Sequence, residues 1–320
     1  MTYATELNKS AQLYKKQLLQ LPSIGLTELI PYMTGYPGVT YKQTVGEIFA
    51  NSQLRPYTGA NNEVDTTELH ERTLETFLGS LVELFDPNAL RQTVYAQTRA
   101  NGDNVADAEM NKAMLFAIMN SVMSYLSPAA WKASRNNSGT TTLELFNGFD
   151  TITATEIGAA NISVANGNLV ELDTAITSVN AFDQLRAIWK AAPHELRMKK
   201  AYIFCDPDIL INYEEDYMST VGAAPYNNSF NKKALEGTGG MWEFAPMVGK
   251  VASDYIHIST KNNMIYGYGN GVENEMIEIR RGDNAFKLQF ILAMFFGVQF
   301  ATLNKKELFV AKLASGSGSN

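Results

Sequence analysis

The chain has 320 residues and a mass of 35.3 kDa, and 45% of its residues are hydrophobic while 18% are charged. This composition is typical of a globular core and excludes disordered and fibrous proteins. With 26 Lys and Arg against 33 Asp and Glu, the net charge is −7, which disfavours a basic nucleic-acid-binding protein. The single cysteine, Cys205, cannot form an internal disulfide, so a disulfide-stapled secreted fold is also excluded.

We expect neither a secretion signal nor a membrane span. The first residues are polar and amphipathic, without the apolar run and cleavage site of a signal peptide. Two uncharged segments, Ala113 to Ala130 and Leu288 to Asn304, reach only the lower limit of the roughly 20 apolar residues that a bilayer requires, and both contain polar residues. Both segments are therefore predicted to lie in the protein core.

The N-terminal part predicts a helix followed by a long hairpin. An apolar stripe at helical spacing ends at Pro22, and this helix either packs on its own core or forms an arm that packs on a neighbouring chain. Thr40 to Arg72 has few large aliphatic residues, a strand-like piece at Thr44 to Phe49 and a turn cluster at Pro56 to Asn62. Because isolated hairpins are marginally stable, we expect this one to rest on something else, such as another subunit.

The next segment predicts a long apolar helix. Thr73 to Val82 fits either a helix or a strand, and a short helix is expected at Ala89 to Thr98. Val105 to Leu126 is apolar on nearly every face, and Pro128 is expected to stop it. Such a helix must be covered on all sides, so we predict a central spine.

A new unit of mixed elements is predicted from Gly148 onward. Helices are expected at Ala181 to Ala192, capped by Asn180, and at Asp208 to Met218, started by Asp206 and Pro207. Gly222 to Gly240 is expected to be a loop and the Gly-Ser segment at the end a flexible tail. Strands are predicted at Ala201 to Cys205, Tyr255 to Ser259, Met264 to Tyr268, Glu275 to Arg280 and Phe286 to Ala301. This order predicts an α/β or α+β core.

Nucleotide-binding motifs are weak. Tyr266 to Gly271 contains G-x-G-x-G, but the following residues predict a strand, so we interpret the segment as a hairpin connection. A phosphate-binding P-loop sequence is absent.

The candidate catalytic and metal-binding residues all have simpler interpretations. His70, His194 and His257 are isolated in sequence and are expected to be solvated or capped, and Cys205 is expected to be a small buried hydrophobe. Asp206 and Asp208 fit helix capping, and Glu214 to Asp216 fit an exposed helix face. We therefore predict no catalytic, cofactor-binding or metal-binding residues.

Several phrases of the sequence resemble the major capsid proteins of tailed bacteriophages. They are TLETFLGSLVELFDPNAL (73–90), LFNGFDTI (145–152), NAFDQLRAIWKAAPHELRMKKAYIFCDPDIL (180–210) and MVGKVASDYIHISTKNNMIYGYGNG (247–271). The resemblance is closest to the short capsid proteins of phages and prophages of Bacteroidetes-type bacteria, and it covers about residues 40 to 314.

The resemblance implies an α+β fold of the Hong Kong 97-like capsid type. It implies an N-terminal arm (1–39), an extended β-hairpin loop (40–72), a peripheral domain (73–147) with its spine helix at 105–126, and an axial domain (148–285) with a central sheet. Residues 286–320 would supply return strands, at Phe286 to Ala301 and Glu307 to Leu313, that complete the peripheral sheet, and a flexible tail. Some members of the family form covalent Lys–Asn cross-links. Lys42 in the extended loop is a conceivable partner, but no catalytic acid can be named beside it from the sequence, and we do not predict a cross-link.

The implied function is a structural one. The chain would form hexamers and pentamers of an icosahedral shell that encloses double-stranded DNA without sequence-specific binding, with portal, scaffolding or decoration proteins as partners. It would be made in the host bacterial cytoplasm and end in the virion, with no membrane partner. The alternatives are an encapsulin-like nanocompartment shell and, with less support, a soluble α/β enzyme that uses the turn at Cys205 to Asp208.

Overall fold

A computed structural model describes residues 29–50, 67–86, 107–221, 233–269, 275–281 and 287–314, and the structural statements below concern these residues. The helices are α1 (Asp107–Lys132), α2 (Phe149–Gly158), α3 (Ala181–Ala191), α4 (His194–Arg197) and α5 (Pro207–Val221). The strands are β1 (Thr34–Pro37), β2 (Lys42–Ala50), β3 (Thr67–Glu75), β4 (Phe77–Phe85), β5 (Leu169–Glu171), β6 (Ala201–Cys205), β7 (Trp242–Pro246), β8 (Tyr255–Ser259), β9 (Met264–Tyr268), β10 (Met276–Arg281), β11 (Leu288–Phe300) and β12 (Leu308–Lys312). The fold is therefore a mixture of helices and several sheets, as the α+β prediction requires.

The first sheet is built around β11, the longest described strand. β11 pairs antiparallel with β4 on one side and with β9 and β10 on the other, and β1 extends the sheet by pairing parallel with β9. The apolar segment that only reached the lower limit for a bilayer span is thus the central strand of a sheet. Residues 73–82, for which helix and strand both remained open, lie in strands β3 and β4.

Strands β9 and β10 lie end to end along the same side of β11. Leu288 pairs with both β4 and β10, whereas Phe296 pairs with both β4 and β9, so β9 and β10 share the edge opposite β4. Residues 270–274, which connect them in sequence, lie outside the described residues, and the Glu275 carboxylate accepts the backbone N–H of Phe295 at 3.1 Å. The predicted hairpin at the glycine-rich motif is therefore wrong, because the flanking strands pair with β11 and not with each other.

The second sheet has the order β5-β12-β8-β6-β7. β12 pairs antiparallel with β8 and parallel with β5. The expectation that Glu307 to Leu313 would join the same sheet as Phe286 to Ala301 is therefore wrong. Likewise, β9 and β10, which were expected in the unit that begins near Gly148, belong to the first sheet. Strand pairing decides these memberships, and pairing partners far apart in sequence leave no local signal.

The second sheet has apolar side chains on both faces. Phe204 and Val310 point to the core that contains Trp131 of α1, and the Trp131 and Phe204 rings are 5.4 Å apart. Ile203 and Phe309, their neighbours in the two strands, point to the opposite face, which α3 and α5 cover. This alternation follows from the two-residue period of a strand. The second sheet therefore lies between two apolar cores.

Helix α1 departs from the prediction in two ways. It continues through Pro128 to Lys132, although Pro128 cannot donate a backbone hydrogen bond. The residues after the proline, Ala129 to Trp131, are completely buried, so their packing offsets the lost hydrogen bond. In addition, the helix is not covered on all sides, since the side chain of Tyr125 is 63% exposed. The uncharged face of α1 is therefore open in the single subunit.

Candidate functional site

The stem of the predicted hairpin is present. β2 and β3 pair antiparallel in register from Lys42 with Glu75 to Ala50 with Thr67, and the turn cluster lies outside the described residues. The side chains of residues 42–44 are exposed, and the Lys42–Glu75 ion pair, with 2.6 Å between Nζ and Oε1, is largely in solvent. An ion pair of this kind contributes little stability. The hairpin stem thus has little core of its own, as its composition predicts.

One side chain anchors the base of the hairpin stem to the body of the subunit. Arg72 donates from Nη2 to Glu156 Oε1 at 2.7 Å and to Gln299 Oε1 at 3.0 Å, and from Nε to the carbonyl of Phe300 at 3.2 Å. Burial acts to raise the pKa of Glu156, but hydrogen bonds from Asn161 and Arg72 hold it below its usual value. The carboxylate therefore stays ionised, and the base of the stem is held to α2 and β11.

An open groove lies between α1, β4 and the loop that follows α1. Its volume is about 630 Å³, and its lining includes Ile118 and Val122 of α1, Leu78 and Leu81 of β4, and Glu144 of the loop. Glu144 accepts hydrogen bonds from Thr140, Thr141 and Asn136, which lower its pKa and fix it as a loop-bracing residue. The walls of the groove are mixed, because polar side chains of the loop, such as Thr140 and Thr141, accompany the apolar side chains of α1 and β4.

Strand β4 presents exposed apolar side chains next to this groove. Leu78 is 40% exposed, Val82 56% and Leu84 55%. Among the described strands, β4 pairs only with β11, so its other edge carries backbone groups without a sheet partner. Exposed strand edges with apolar side chains are surfaces that pair with other chains.

The interior contains a cluster of charged and polar groups between the two sheets. Lys250 Nζ lies 2.7 Å from Asp150 Oδ1, 3.1 Å from Ser253 Oγ and 2.8 Å from His257 Nδ1. Ser253 Oγ donates to Asp150 Oδ2 at 2.7 Å, and His257 Nε2 lies 2.7 Å from Thr153 Oγ1. These five residues, which we call the buried charge cluster, connect α2 to β8 and to the turn before it.

Electrostatics in the buried charge cluster follow from its burial. Lys250 and His257 have no exposed surface, and the Asp150 side chain is 12% exposed. Burial lowers the pKa of Lys250, and Asp150 offsets part of this effect. Burial, and then the charge of Lys250, hold the pKa of His257 well below its usual value. His257 is therefore neutral, and since its Nδ1 faces the amine as acceptor, its proton is on Nε2 and is donated to Thr153.

The residues around Cys205 behave as the capping interpretation predicts. Cys205 is buried at the end of β6, and burial raises the pKa of its thiol to about 12. The N–H of Asp208 donates to Asp206 Oδ1 at 3.0 Å, so Asp206 caps α5, and its other oxygen accepts the N–H of Ala252 at 2.7 Å. This turn is thus committed to structural hydrogen bonds.

The predicted exposed face at Glu214 to Asp216 is wrong for its last residue. Glu215 is exposed, whereas Asp216 is buried and accepts the backbone N–H of Phe182 at 2.7 Å. Phe182 lies in the first turn of α3, where backbone N–H groups have no partner within the helix. Asp216 therefore caps a neighbouring helix, a role that its own sequence context does not show.

The three histidines differ in their surroundings. His194 is exposed beside Arg197, as expected, and the side chain of His70 lies outside the described residues. Of the two expectations for His257, solvated or capped, the solvated one is wrong, because His257 is buried and hydrogen-bonded at both ring nitrogens within the buried charge cluster. The only signal in the sequence is that Lys250, Ser253 and His257 share one short segment, and nothing in the sequence connects that segment to Asp150.

The described residues contain neither a metal-binding cluster nor a helix that could span a membrane. In this part of the chain, no group of three or more His, Cys, Asp and Glu side chains is arranged to hold a metal ion. None of the described helices combines the length and apolarity needed to cross a bilayer. The predicted N-terminal helix, the short helix at Ala89 to Thr98, most of the Gly222 to Gly240 loop and the tail lie outside the described residues.

Comparison with known proteins shows a similarity of fold and no similarity of sequence family. No protein-family model and no curated protein matches the sequence. The fold is similar to a subunit of the satellite phage P4 procapsid, with a TM-score of 0.56, 10% identity, and coverage of 92% of this chain and 98% of that one. The fold is also similar to the capsid of the empty GTA particle, with a TM-score of 0.56, 13% identity, and coverage of 91% of this chain and 90% of that one. For the SrpI encapsulin from Synechococcus elongatus PCC 7942, the TM-score is 0.54 and the identity 12%, and the match covers 91% of this chain and 88% of that one.

Proposed function

We propose that this chain is the major capsid protein of a tailed bacteriophage and has the Hong Kong 97-type fold. In this proposal it assembles into hexamers and pentamers that close an icosahedral shell around double-stranded DNA. The observation that carries the proposal is the fold similarity to procapsid and capsid subunits over about nine-tenths of both chains. A fold shared over the whole length of shell subunits supports a subunit with the same use.

The surfaces of the single subunit support this proposal. Three features are explained by contacts with neighbouring copies: a hairpin stem with little core of its own, an open groove of mixed polarity, and a strand edge with exposed Val82 and Leu84. Modest contacts repeated over many copies give a stable assembly. In the proposed division, residues 1–39 form the arm, 40–72 the extended loop, and the first and second sheets form the cores of the peripheral and axial domains.

The acidic charge of the chain supports the proposed content of the shell. A wall with a net charge of −7 per subunit does not bind phosphate backbones tightly, so packed DNA would lie inside without sequence-specific contacts. We infer that portal, scaffolding or decoration proteins complete the particle, that the chain is made in the host bacterial cytoplasm, and that its final location is the virion.

An encapsulin-like nanocompartment is the second candidate, because the similarity to the SrpI encapsulin is nearly as high as that to the phage subunits. The contents of purified particles separate the two candidates. Nuclease-resistant DNA inside particles from infected or induced cells supports the capsid function, whereas a co-purified cargo protein without DNA supports the nanocompartment. The Cys205 thiol is buried and its pKa is raised to about 12, which counts against a soluble enzyme that uses the turn at Cys205 to Asp208.

The experiment that tests the shell function shortens the hairpin within its register. Replacing residues 47–70 with Asn-Gly leaves the pairs from Lys42 with Glu75 to Gly46 with Glu71, and it leaves the Arg72 anchor intact. We expect the full chain to form shells by electron microscopy, and the shortened chain to stay folded by circular dichroism but form none. The matched control lacks residues 315–320 and should still assemble. Unimpaired assembly of the shortened chain would contradict the proposed role of the hairpin.

A further inference from the structure

The buried charge cluster places an amine against a carboxyl group in a fixed geometry. Lys250 Nζ and Asp150 Oδ1 are 2.7 Å apart although the two residues are 100 positions apart in the chain. Asp150 is held in the first turn of α2, and Lys250 ends a short 3-10 turn whose last two residues, Gly249 and Lys250, are buried. Two groups fixed by separate elements at this distance react as if one were present at very high local concentration.

The surroundings of the pair are aromatic. Lys250 Nζ lies 4.8 Å from the centre of the Trp131 ring, and Phe149 and Phe300 continue the aromatic wall with ring centres 5.0 Å apart. An amine loses its hydration in such a setting, which favours its neutral form. Burial lowers the pKa of Lys250 in the same direction. The same wall keeps water away from an amide once it has formed.

The remaining members of the cluster are placed to move protons. His257 Nδ1 lies 2.8 Å from Lys250 Nζ and is a free acceptor, because the proton of the neutral ring is on Nε2 and is donated to Thr153. Ser253 Oγ donates to Asp150 Oδ2 at 2.7 Å, where it would stabilise negative charge on that oxygen during an attack on the carboxyl carbon. A nucleophile, an electrophile, a base and an oxygen-stabilising donor are thus assembled at one point.

We propose that Lys250 and Asp150 form an intramolecular isopeptide bond. A proton first passes from the ammonium of Lys250 to Asp150 Oδ1, which leaves a neutral amine beside a neutral carboxylic acid. Nζ then attacks Cγ of Asp150, His257 Nδ1 takes a second proton from the nitrogen, and this proton passes to the hydroxyl at Oδ1, which leaves as water. One C–N bond forms, one C–O bond breaks, and no oxidant or other reactant is needed.

The bond lies within one subunit and is independent of the proposed shell function. It would tie the first turn of α2 to the turn before β8 and close a loop of 100 positions. It differs from a cross-link between subunits, since both partners belong to one chain and the Lys250 side chain is completely buried.

Mass spectrometry of the purified full chain tests the proposal without any mutation. We expect an intact mass lower than that of the sequence by one water, and a tryptic map with a branched peptide that joins the segments around Asp150 and Lys250, because trypsin does not cleave after an acylated lysine. An intact mass equal to that of the sequence, or a loss of water located elsewhere in the chain, would overturn the proposal.

Two variants identify the reacting groups. Asp150→Asn should form the same branched peptide but release ammonia in place of water, because the product amide is identical. The matched control Lys250→Arg keeps the positive charge but has no primary amine, so it should retain the full sequence mass. A branched peptide at this site in the arginine variant would contradict the assignment of Lys250, and the wild-type mass decides the proposal even if a variant does not fold.

Discussion

His257 makes the stability of the subunit depend on pH. Burial, the larger cause, holds its pKa well below 6.5 whether or not Lys250 is charged, so the folded chain keeps the ring neutral where the unfolded chain protonates it. Below pH about 6.5 the unfolded state therefore binds more protons, and the free energy of unfolding falls as the pH falls. We expect the melting temperature of the subunit to drop between pH 7.5 and pH 5.5. Scanning calorimetry at matched ionic strength measures this drop.

Substitutions separate this effect from general acid sensitivity. His257→Gln cannot be protonated in the unfolded state, so its melting temperature should change less over the same pH interval. The control is His194→Gln, since His194 is exposed beside Arg197, and this variant should keep the full pH dependence. Equal pH dependence in the wild type and His257→Gln would show that His257 is not the responsible group.

Cys205 should be inert in the folded protein. Its thiol is completely buried, and burial raises its pKa to about 12, so almost no reactive thiolate is present at neutral pH. We expect a maleimide reagent to leave the folded chain unlabelled and to label it fully in denaturant, as measured by mass spectrometry. Rapid labelling of the native protein would contradict the assignment of Cys205 to the core.

At the scale of elements, the attachment of the hairpin stem depends on Arg72. Its guanidinium is the donor to Glu156, Gln299 and Phe300, and the Arg72 and Glu156 side chains are both only 16% exposed. Arg72→Ala leaves a half-buried carboxylate without its cation, which costs about 2 kcal/mol. We expect hydrogen exchange at the amides of β2 and β3 to accelerate by more than tenfold.

The control for this prediction is Lys42→Ala in the same hairpin stem. The Lys42–Glu75 pair is largely in solvent, so its loss should leave the exchange rates nearly unchanged. If the two variants accelerated exchange equally, the base of the stem would not be held by Arg72.

The elements that sequence predicts well are those with a strong local signal. The apolar run at Ala201 to Cys205, followed by Asp206 and Pro207, defines both the strand and the start of α5. The sequence predicts that α1 ends before Pro128, because proline lacks a backbone N–H, whereas the helix continues to Lys132 and buries Trp131 completely. Local pattern therefore predicts where elements begin more reliably than where tertiary packing lets them end.

At the scale of the whole molecule, the sequence does not predict which strands belong to which sheet. β12 and β11 are adjacent in the chain but lie in different sheets, while β9 and β10 act as one interrupted strand. Both features depend on pairing between distant residues. For the same reason the buried charge cluster was missed, since Asp150 and Lys250 meet only in the folded chain. The hairpin stem was predicted because composition and strand pattern mark it locally.

The charge of the whole molecule predicts how assembly responds to salt. Each subunit carries a net charge of −7, and repulsion between like-charged subunits extends over about 30 Å at 0.01 M salt but only about 8 Å at 0.15 M. We expect the yield of assembled particles to rise between these two salt concentrations, as measured by light scattering. A yield that falls over this range would indicate that attraction between opposite charges drives assembly.

The central claim is that this chain acts by contact with copies of itself, and the particle mass tests it most directly. The full chain, expressed alone and together with the proteins encoded beside it, would be measured by sedimentation velocity and negative-stain microscopy. The account predicts closed particles of uniform diameter made of many copies of the subunit. A globular monomer or dimer under every one of these conditions would contradict it.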